Sequence, residues 1–335
     1  MSIPQPQHRT ASPSIDALLA LTATDLAAVN TLIVEQMQSD VPLIPQLAAH
    51  LIMAGGKRIR PLLTLGSALL CGYQGTRHLN LAACVEFIHT ATLLHDDVVD
   101  ESDRRRGRET ANTIWGNKAS VLVGDYLFSR AFEGMVADGS LKVLGILSRA
   151  SAVIAEGEVL QLSSMHNAYT TEEHYMAVIR AKTAALFAAA TQVGAVVAEK
   201  TATEEQALYD FGLNLGIAFQ LADDALDYSG TAATGKTLGN DFAQGKVTLP
   251  VILALQHGND AEKSFWNNAL SGAPLEDTAF TTAQQLLEKY QTVAATLTRA
   301  RAFGAQAIEN ISHFPDSPIK QALHDVVLFA TERPY

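Results

Sequence analysis

Two short strings constrain this chain more than anything else in it: Asp96-Asp97-Val98-Val99-Asp100 and Asp223-Asp224-Ala225-Leu226-Asp227. Each closes an apolar run with helical periodicity. Its first and last aspartates therefore stand at i and i+4, on one helix face and about 6 Å apart. Like charges so placed repel by about 3 kcal/mol per pair at an effective dielectric of about 20. A surface helix gains nothing from this, whereas a divalent cation reverses its sign. One copy alone is explained equally well by a solvated helix end. Two copies, each ending a core-like helix, point to a metal site. The donors are all hard oxygens, with no His or Cys at ligand spacing. That favours Mg2+, held by a few carboxylates and substrate phosphates, over Zn2+.

Basic residues supply the other half of the pattern. Gly55-Gly56-Lys57-Arg58-Ile59-Arg60-Pro61 is a glycine turn entering a helix, with Lys57 and Arg60 spaced to address one anion. Arg104-Arg105-Arg106-Gly107-Arg108 follows the first aspartates directly. The chain has 35 acidic and 24 basic residues, a net charge of −11. In that setting an arginine run beside an aspartate cluster suggests bound polyphosphate; its bland alternative is a solvated run balancing Glu101 and Asp103. Lys182-Thr183, Lys236 and Lys246 add single cations, the last two on glycine turns after the second cluster. Mg2+ bridging aspartates to a diphosphate, inside an apolar helical cavity, suits heterolysis of a carbon–oxygen bond. The sequence has no Ser/His/Asp or Cys/His constellation, Walker loop or dinucleotide fingerprint.

The acidic balance argues against a nucleic-acid partner. The two cysteines, Cys71 and Cys84, rule out a disulfide scaffold and fit a reducing, cytoplasmic compartment. The most apolar run, Ala184 to Ala198, is interrupted by Thr191, Gln192 and Gly194 and falls short of the ~20 residues of a spanning helix, so a buried core helix is expected. Residues 1–13 read as a disordered tail without a secretory core, and 14–335 as one all-α domain. Periodicity predicts helices over 14–38, 43–53, 59–71, 77–101, 118–137, 141–165, 171–198, 204–229, 246–257, 278–311 and 317–331. The polar stretch from His257 to Asp277 reads as a looser excursion.

With these motifs in hand, the sequence resembles the trans-polyprenyl diphosphate synthases, the head-to-tail prenyltransferases. GGKRIRP, EFIHTATLLHDDVVDESDRRRG, FQLADDALDY and GKVTLP fall in that family's order, and the likeness runs from about residue 43 to 331. The resemblance implies an isoprenoid synthase fold, an all-α bundle around a deep central cavity, and a homodimer. It implies a Mg2+-dependent enzyme that adds isopentenyl diphosphate repeatedly to an allylic diphosphate such as farnesyl diphosphate. By the same resemblance, Asp96, Asp97 and Asp100 hold Mg2+ on one side of the allylic diphosphate, and Asp223, Asp224 and Asp227 on the other. Arg105 grips that diphosphate. Lys57, Arg60, His89 and Arg106 form the isopentenyl diphosphate site. Lys182, Thr183, Gln220, Lys236 and Lys246 line the allylic substrate and its leaving group. Taken alone, His89 is more often a satisfied core histidine. Asn240 stands before Asp241 where relatives often carry two acidic residues, so no metal role is assigned there.

Product length is expected to depend on what blocks the cavity below Asp96. Counting back along one helix face gives Ala91, Ile88 and Cys84, the last about 10 Å deeper than Ala91 at 1.5 Å per residue. Ala91 and Cys84 are small, which predicts a long product, about C40 to C50, of the kind used for quinone side chains. The rival readings are a short-chain farnesyl or geranylgeranyl diphosphate synthase and a partner subunit of a heteromeric synthase. Degraded aspartate clusters would mark the latter, and both clusters here are intact. A head-to-head synthase or terpene cyclase needs no isopentenyl site. A di-iron bundle needs two Glu-x-x-His strings, and only Glu86-Phe87-Ile88-His89 qualifies.

Overall fold

Helical periodicity becomes helix almost throughout. The computed structural model describes residues 13–53, 56–105, 107–229, 238–272 and 278–332. Within them run α1 (Asp16–Leu21), α2 (Ala23–Gln36), α3 (Leu43–Met53), α4 (Ile59–Leu70) and α5 (Arg77–Val99). A two-residue hairpin follows, Arg104–Arg105 paired antiparallel with Arg108–Glu109, then α6 (Ala111–Trp115), α7 (Asn117–Asp138), α8 (Leu141–Ser164) and α9 (Glu172–Ile179). After a π-helical turn at Arg180–Ala184 come α10 (Ala185–Val197) and α11 (Ala202–Ser229). The last elements are α12 (Asn240–Ala243), α13 (Leu249–His257), α14 (Asp260–Ala269), α15 (Ala279–Lys289), α16 (Thr292–Asn310) and α17 (Pro318–Thr331).

Local chemistry explains where these helices start. Ser140, Thr171 and Ser317 accept backbone N–H groups of α8, α9 and α17 through their hydroxyls. Pro318 occupies the first turn of α17, where no N–H is needed. Gly139, in the left-handed region at φ +78°, stops α7.

Three expectations need correction. The stretch 14–38 breaks at Thr22, whose hydroxyl donates to Leu18 O. The stretch 278–311 breaks at Tyr290, and Gln291 enters α16 with a left-handed backbone at φ +53°. The supposed excursion after His257 contains α14. Asn259 and Glu262 form a reciprocal capping box there, and fully buried Trp266 packs edge-on against Phe242. α14 is polar on average, so the sequence reads as a loop, although its few apolar residues share one face and Trp266 anchors it.

Packing places the aspartate-bearing helices inside. α5 lies against α4, α7 and α10, and α11 lies against α10 and α16. Leu81, Ile88, Leu127, Leu147 and Val193 build one core around α5. Ile217, Leu249, Trp266 and Leu287 build a second around the C-terminal half of α11, and Leu63, Phe211 and Leu323 a third beneath α4. α10 is the buried core helix expected, and among the described residues no helix is long and apolar enough to cross a membrane.

Close helix contact depends on missing side chains. A Cβ at Gly216 of α11 would stand 2.6 Å from Ala184 Cα. One at Gly157 of α8 would stand 2.7 Å from Lys182 N. Both glycines draw their helices onto the π-helical turn. Gly216→Ala is therefore expected to destabilise the protein by about 1–3 kcal/mol, measured by urea unfolding, because backbone cannot yield as a flexible side chain can.

Candidate active site

α5 is buried along most of its length until its last turn, where Asp96 emerges while Asp97 stays buried, and Asp100 caps it. Asp97 turns inward. Arg105 donates to its Oδ1 from Nε at 2.9 Å and from a second guanidinium nitrogen at 2.8 Å. Asn112 donates to Asp97 O, and Thr110 to Ser102 O, which folds the hairpin back over the helix end. Burial pushes the Asp97 carboxyl above its ordinary range, against the pull of Arg105.

Asp96 and Asp100 meet lysines from distant segments. Lys182 Nζ lies 3.7 Å from Asp96 Oδ2, and Lys246 Nζ lies 2.7 Å from Asp100 Oδ2. Lys182 also donates to Glu158 of α8 at 2.6 Å. Burial alone would lower the Lys182 pKa; Asp96 and Glu158 beside it raise it above the ordinary lysine value. Glu158 is pushed up to about 7 by burial and by Asp96.

The second cluster closes the same space. Asp224 is buried, accepting from Tyr175 Oη at 2.5 Å and from Gln220 Nε2 at 2.7 Å. Thr183 donates to Gln220 Oε1 at 2.8 Å, so Thr183, Gln220, Asp224 and Tyr175 form one chain of contacts. Burial and the nearby Asp241 hold the Asp224 carboxyl well above its ordinary range. Asp227 is used differently: its two oxygens accept the backbone N–H groups of Asn240 and Asp241. That bracket carries Asp241 to the cavity wall beside Asp223 and Asp224.

Between these groups lies a cavity of about 130 Å³, lined on its polar side by Lys182, Thr183, Gln220, Asp223, Asp241 and Lys246. Lys182 and Lys246 thus face the second cluster across the cavity while touching the first. The donor set fits a divalent cation. Its oxygens are hard, and three carboxyls around it are held above their ordinary range by burial beside like charge, a penalty that a cation removes. Among the described residues no three such groups close on a single point.

The other expected residues fall elsewhere. Arg60 stacks over Phe187 at 4.7 Å and donates to His89 Nε2 at 2.9 Å; since arginine only donates, His89 carries its proton on Nδ1. Lys57 lies over the Phe329 ring at 4.0 Å. None of these three lines the cavity. Arg106 and Lys236 lie outside the described residues. Ala91, Ile88 and Cys84 have no exposed surface, and Cys84 faces Gly134 of α7. Sequence reasoning passed over Glu158 and Tyr175, and gave Asp241, which lines the cavity, no metal role. Glu158 follows Gly157, the last residue of the one face that α8 buries, which is the signal for it.

A family model described as polyprenyl synthetase matches residues 41–287. The octaprenyl diphosphate synthase of Haemophilus influenzae is 45% identical over 96% of this chain and 98% of its own length. Two crystal structures cover 96% of this chain and 99% of their own. A decaprenyl diphosphate synthase from Rhodobacter capsulatus is 51% identical with a TM-score of 0.92. A polyprenyl synthase from Caulobacter crescentus, complexed with calcium and isoprenyl diphosphate, is 50% identical with a TM-score of 0.93.

Glu158 supplies a pH test. Its folded pKa stands above its ordinary value of 4.5, so its contribution to stability is full below about 4.5 and is lost as pH rises through about 7. In metal-free melting experiments, Glu158→Gln is expected to gain melting temperature relative to wild type across that window. A constant difference between the two proteins would contradict this.

Proposed function

The chain belongs to the polyprenyl synthetase family and is a prenyltransferase, and from that premise we propose that it extends an allylic diphosphate with isopentenyl diphosphate units to a long all-trans product, about C40 to C50. The observation that carries this reading is the pair of lysines, Lys182 and Lys246, spanning one cavity between two carboxylate clusters. A leaving diphosphate needs that combination: cations at hand, and carboxylates to hold more of them.

Mg2+ is the cation assigned, held by Asp96, Asp97 and Asp100 on one side and by Asp223, Asp224 and Asp227 on the other. When bound, it neutralises charge on the diphosphate oxygens as the carbon–oxygen bond breaks. Arg105, Lys182, Lys236 and Lys246 cover the remaining charge, and Thr183 and Gln220 orient the leaving group. Lys57, Arg60, His89 and Arg106 hold isopentenyl diphosphate, whose double bond attacks the allylic cation. Loss of a proton to the released diphosphate, or to a nearby group, completes the unit. The buried apolar walls of α5, α7 and α8 keep water from the cation.

Several features support the rest. Ala91 and Cys84 put little bulk beneath the first cluster, and the relatives include octaprenyl and decaprenyl diphosphate synthases, which fits a quinone side-chain precursor. Leu122, Phe132 and Val136 on α7, and Leu141, Val159 and Leu162 on α8, are exposed apolar residues at helical spacing, a surface suited to a second copy in a homodimer. Two buried, unbridged cysteines suit a cytoplasmic protein. Residues 14–335 are assigned to one synthase domain.

The test is incubation of purified protein with Mg2+, isopentenyl diphosphate and farnesyl diphosphate, with products resolved by length. Products of C40–C50 are expected; a C15–C20 limit would assign the short-chain reading, and no product with any primer the partner-subunit reading. Ala91→Phe is expected to shorten the products, at about 1–3 kcal/mol of stability. Lys182→Ala is expected to lower kcat about 10²–10³-fold in steady-state assays.

A further inference from the structure

A buried ion pair lies beside the cations assigned to isopentenyl diphosphate. The run Lys57-Arg58-Ile59-Arg60 offers three positive charges, but they take different directions. Lys57 lies over Phe329 of α17, and Arg60 reaches His89. Arg58 goes into the protein, where its guanidinium pairs with Glu86 of α5, itself 6% exposed. Arg58 also holds the left-handed backbone, φ +48°, that a non-glycine residue adopts at some cost, and it stands immediately before α4.

Stability alone does not account for this arrangement. Burying two charges to join two helices contributes little beyond what apolar residues of similar size contribute. The pair does fix geometry. Glu86 and His89 are three residues apart on one face of α5, and Arg58 and Arg60 are two apart across the start of α4. Arg58–Glu86 and Arg60–His89 therefore tie the start of α4 to neighbouring turns of α5. Lys57, next in the chain, is set by the backbone that Arg58 holds.

We propose that Arg58 and Glu86 are positioning residues for isopentenyl diphosphate: they set Lys57, Arg60 and His89 without touching the substrate themselves. The inference rests on the isopentenyl reading of those three residues.

The experiment is steady-state kinetics with each substrate varied in turn. Glu86→Gln and Arg58→Gln are each expected to raise KM for isopentenyl diphosphate about tenfold or more, with KM for the allylic diphosphate within about twofold of wild type. The double variant Arg58→Gln/Glu86→Gln is expected to do no worse than either single one, because neither leaves its partner charge buried alone. Arg58→Lys, which keeps the charge without the fork, is expected to give a smaller rise and serves where the other variants melt at the assay temperature. Unchanged KM values, or equal rises for both substrates, would overturn the proposal. Arg60→Ala separates the two levels. If it leaves KM for isopentenyl diphosphate unchanged, the isopentenyl reading falls and takes the proposal with it. If it raises that KM while Glu86→Gln does not, only the positioning role falls.

Discussion

The organisation of this protein turns on one electrostatic problem: two sets of carboxylates from different helices are gathered about the same two lysines at the edge of one cavity. Left alone they would repel and protonate. Arg105 and the two cavity lysines make the arrangement tenable, each reaching an aspartate of the first set from another part of the chain. The order of the elements can be read as the means of delivering those three side chains. The hairpin after α5 brings Arg105, the π-helical turn brings Lys182, and the loop after α12 brings Lys246. These cations serve the carboxylates, and a bound divalent metal would free them for an anionic substrate.

Close packing is what makes the delivery accurate. α8 and α11 approach the π-helical turn at Gly157 and Gly216, where no side chain intervenes. The residue after Gly157 is Glu158, which grips Lys182. A single pair of neighbours on α8 thus sets both how near the backbone comes and where the lysine points.

The parts of the site legible in the sequence are those written within one helix. Asp96 with Asp100, and Asp223 with Asp227, could be paired because helical spacing fixes their geometry in advance, although Asp227 turns to the Asn240 and Asp241 N–H groups. Lys57 and Arg60 could be grouped for the same reason, although in the structure they diverge, one to Phe329 and one to His89. What was hidden depends on juxtaposition. Asp241 reaches the cavity because Asp227 binds its backbone N–H, and Tyr175 counts only through Asp224. The helix class followed from periodicity. α14 escaped because a capping box and one tryptophan hold it, and the break at Gln291 escaped because its left-handed residue is not a glycine.

The π-helical turn also limits how this chain can vary. Ala185 N–H reaches back to Arg180 O, five residues rather than four, so the turn holds one residue more than an α-helix would. A wider turn absorbs that extra residue locally, because five residues at π pitch carry the chain through about the same rotation as four at α pitch. Removing one residue from Arg180–Ala184 would therefore leave α10 facing its core as before and change only the directions of the side chains within the turn. Lys182 and Thr183 would lose their aim while α10 kept its packing. The extra residue thus separates two tasks, and a single deletion here would touch the site without touching the core.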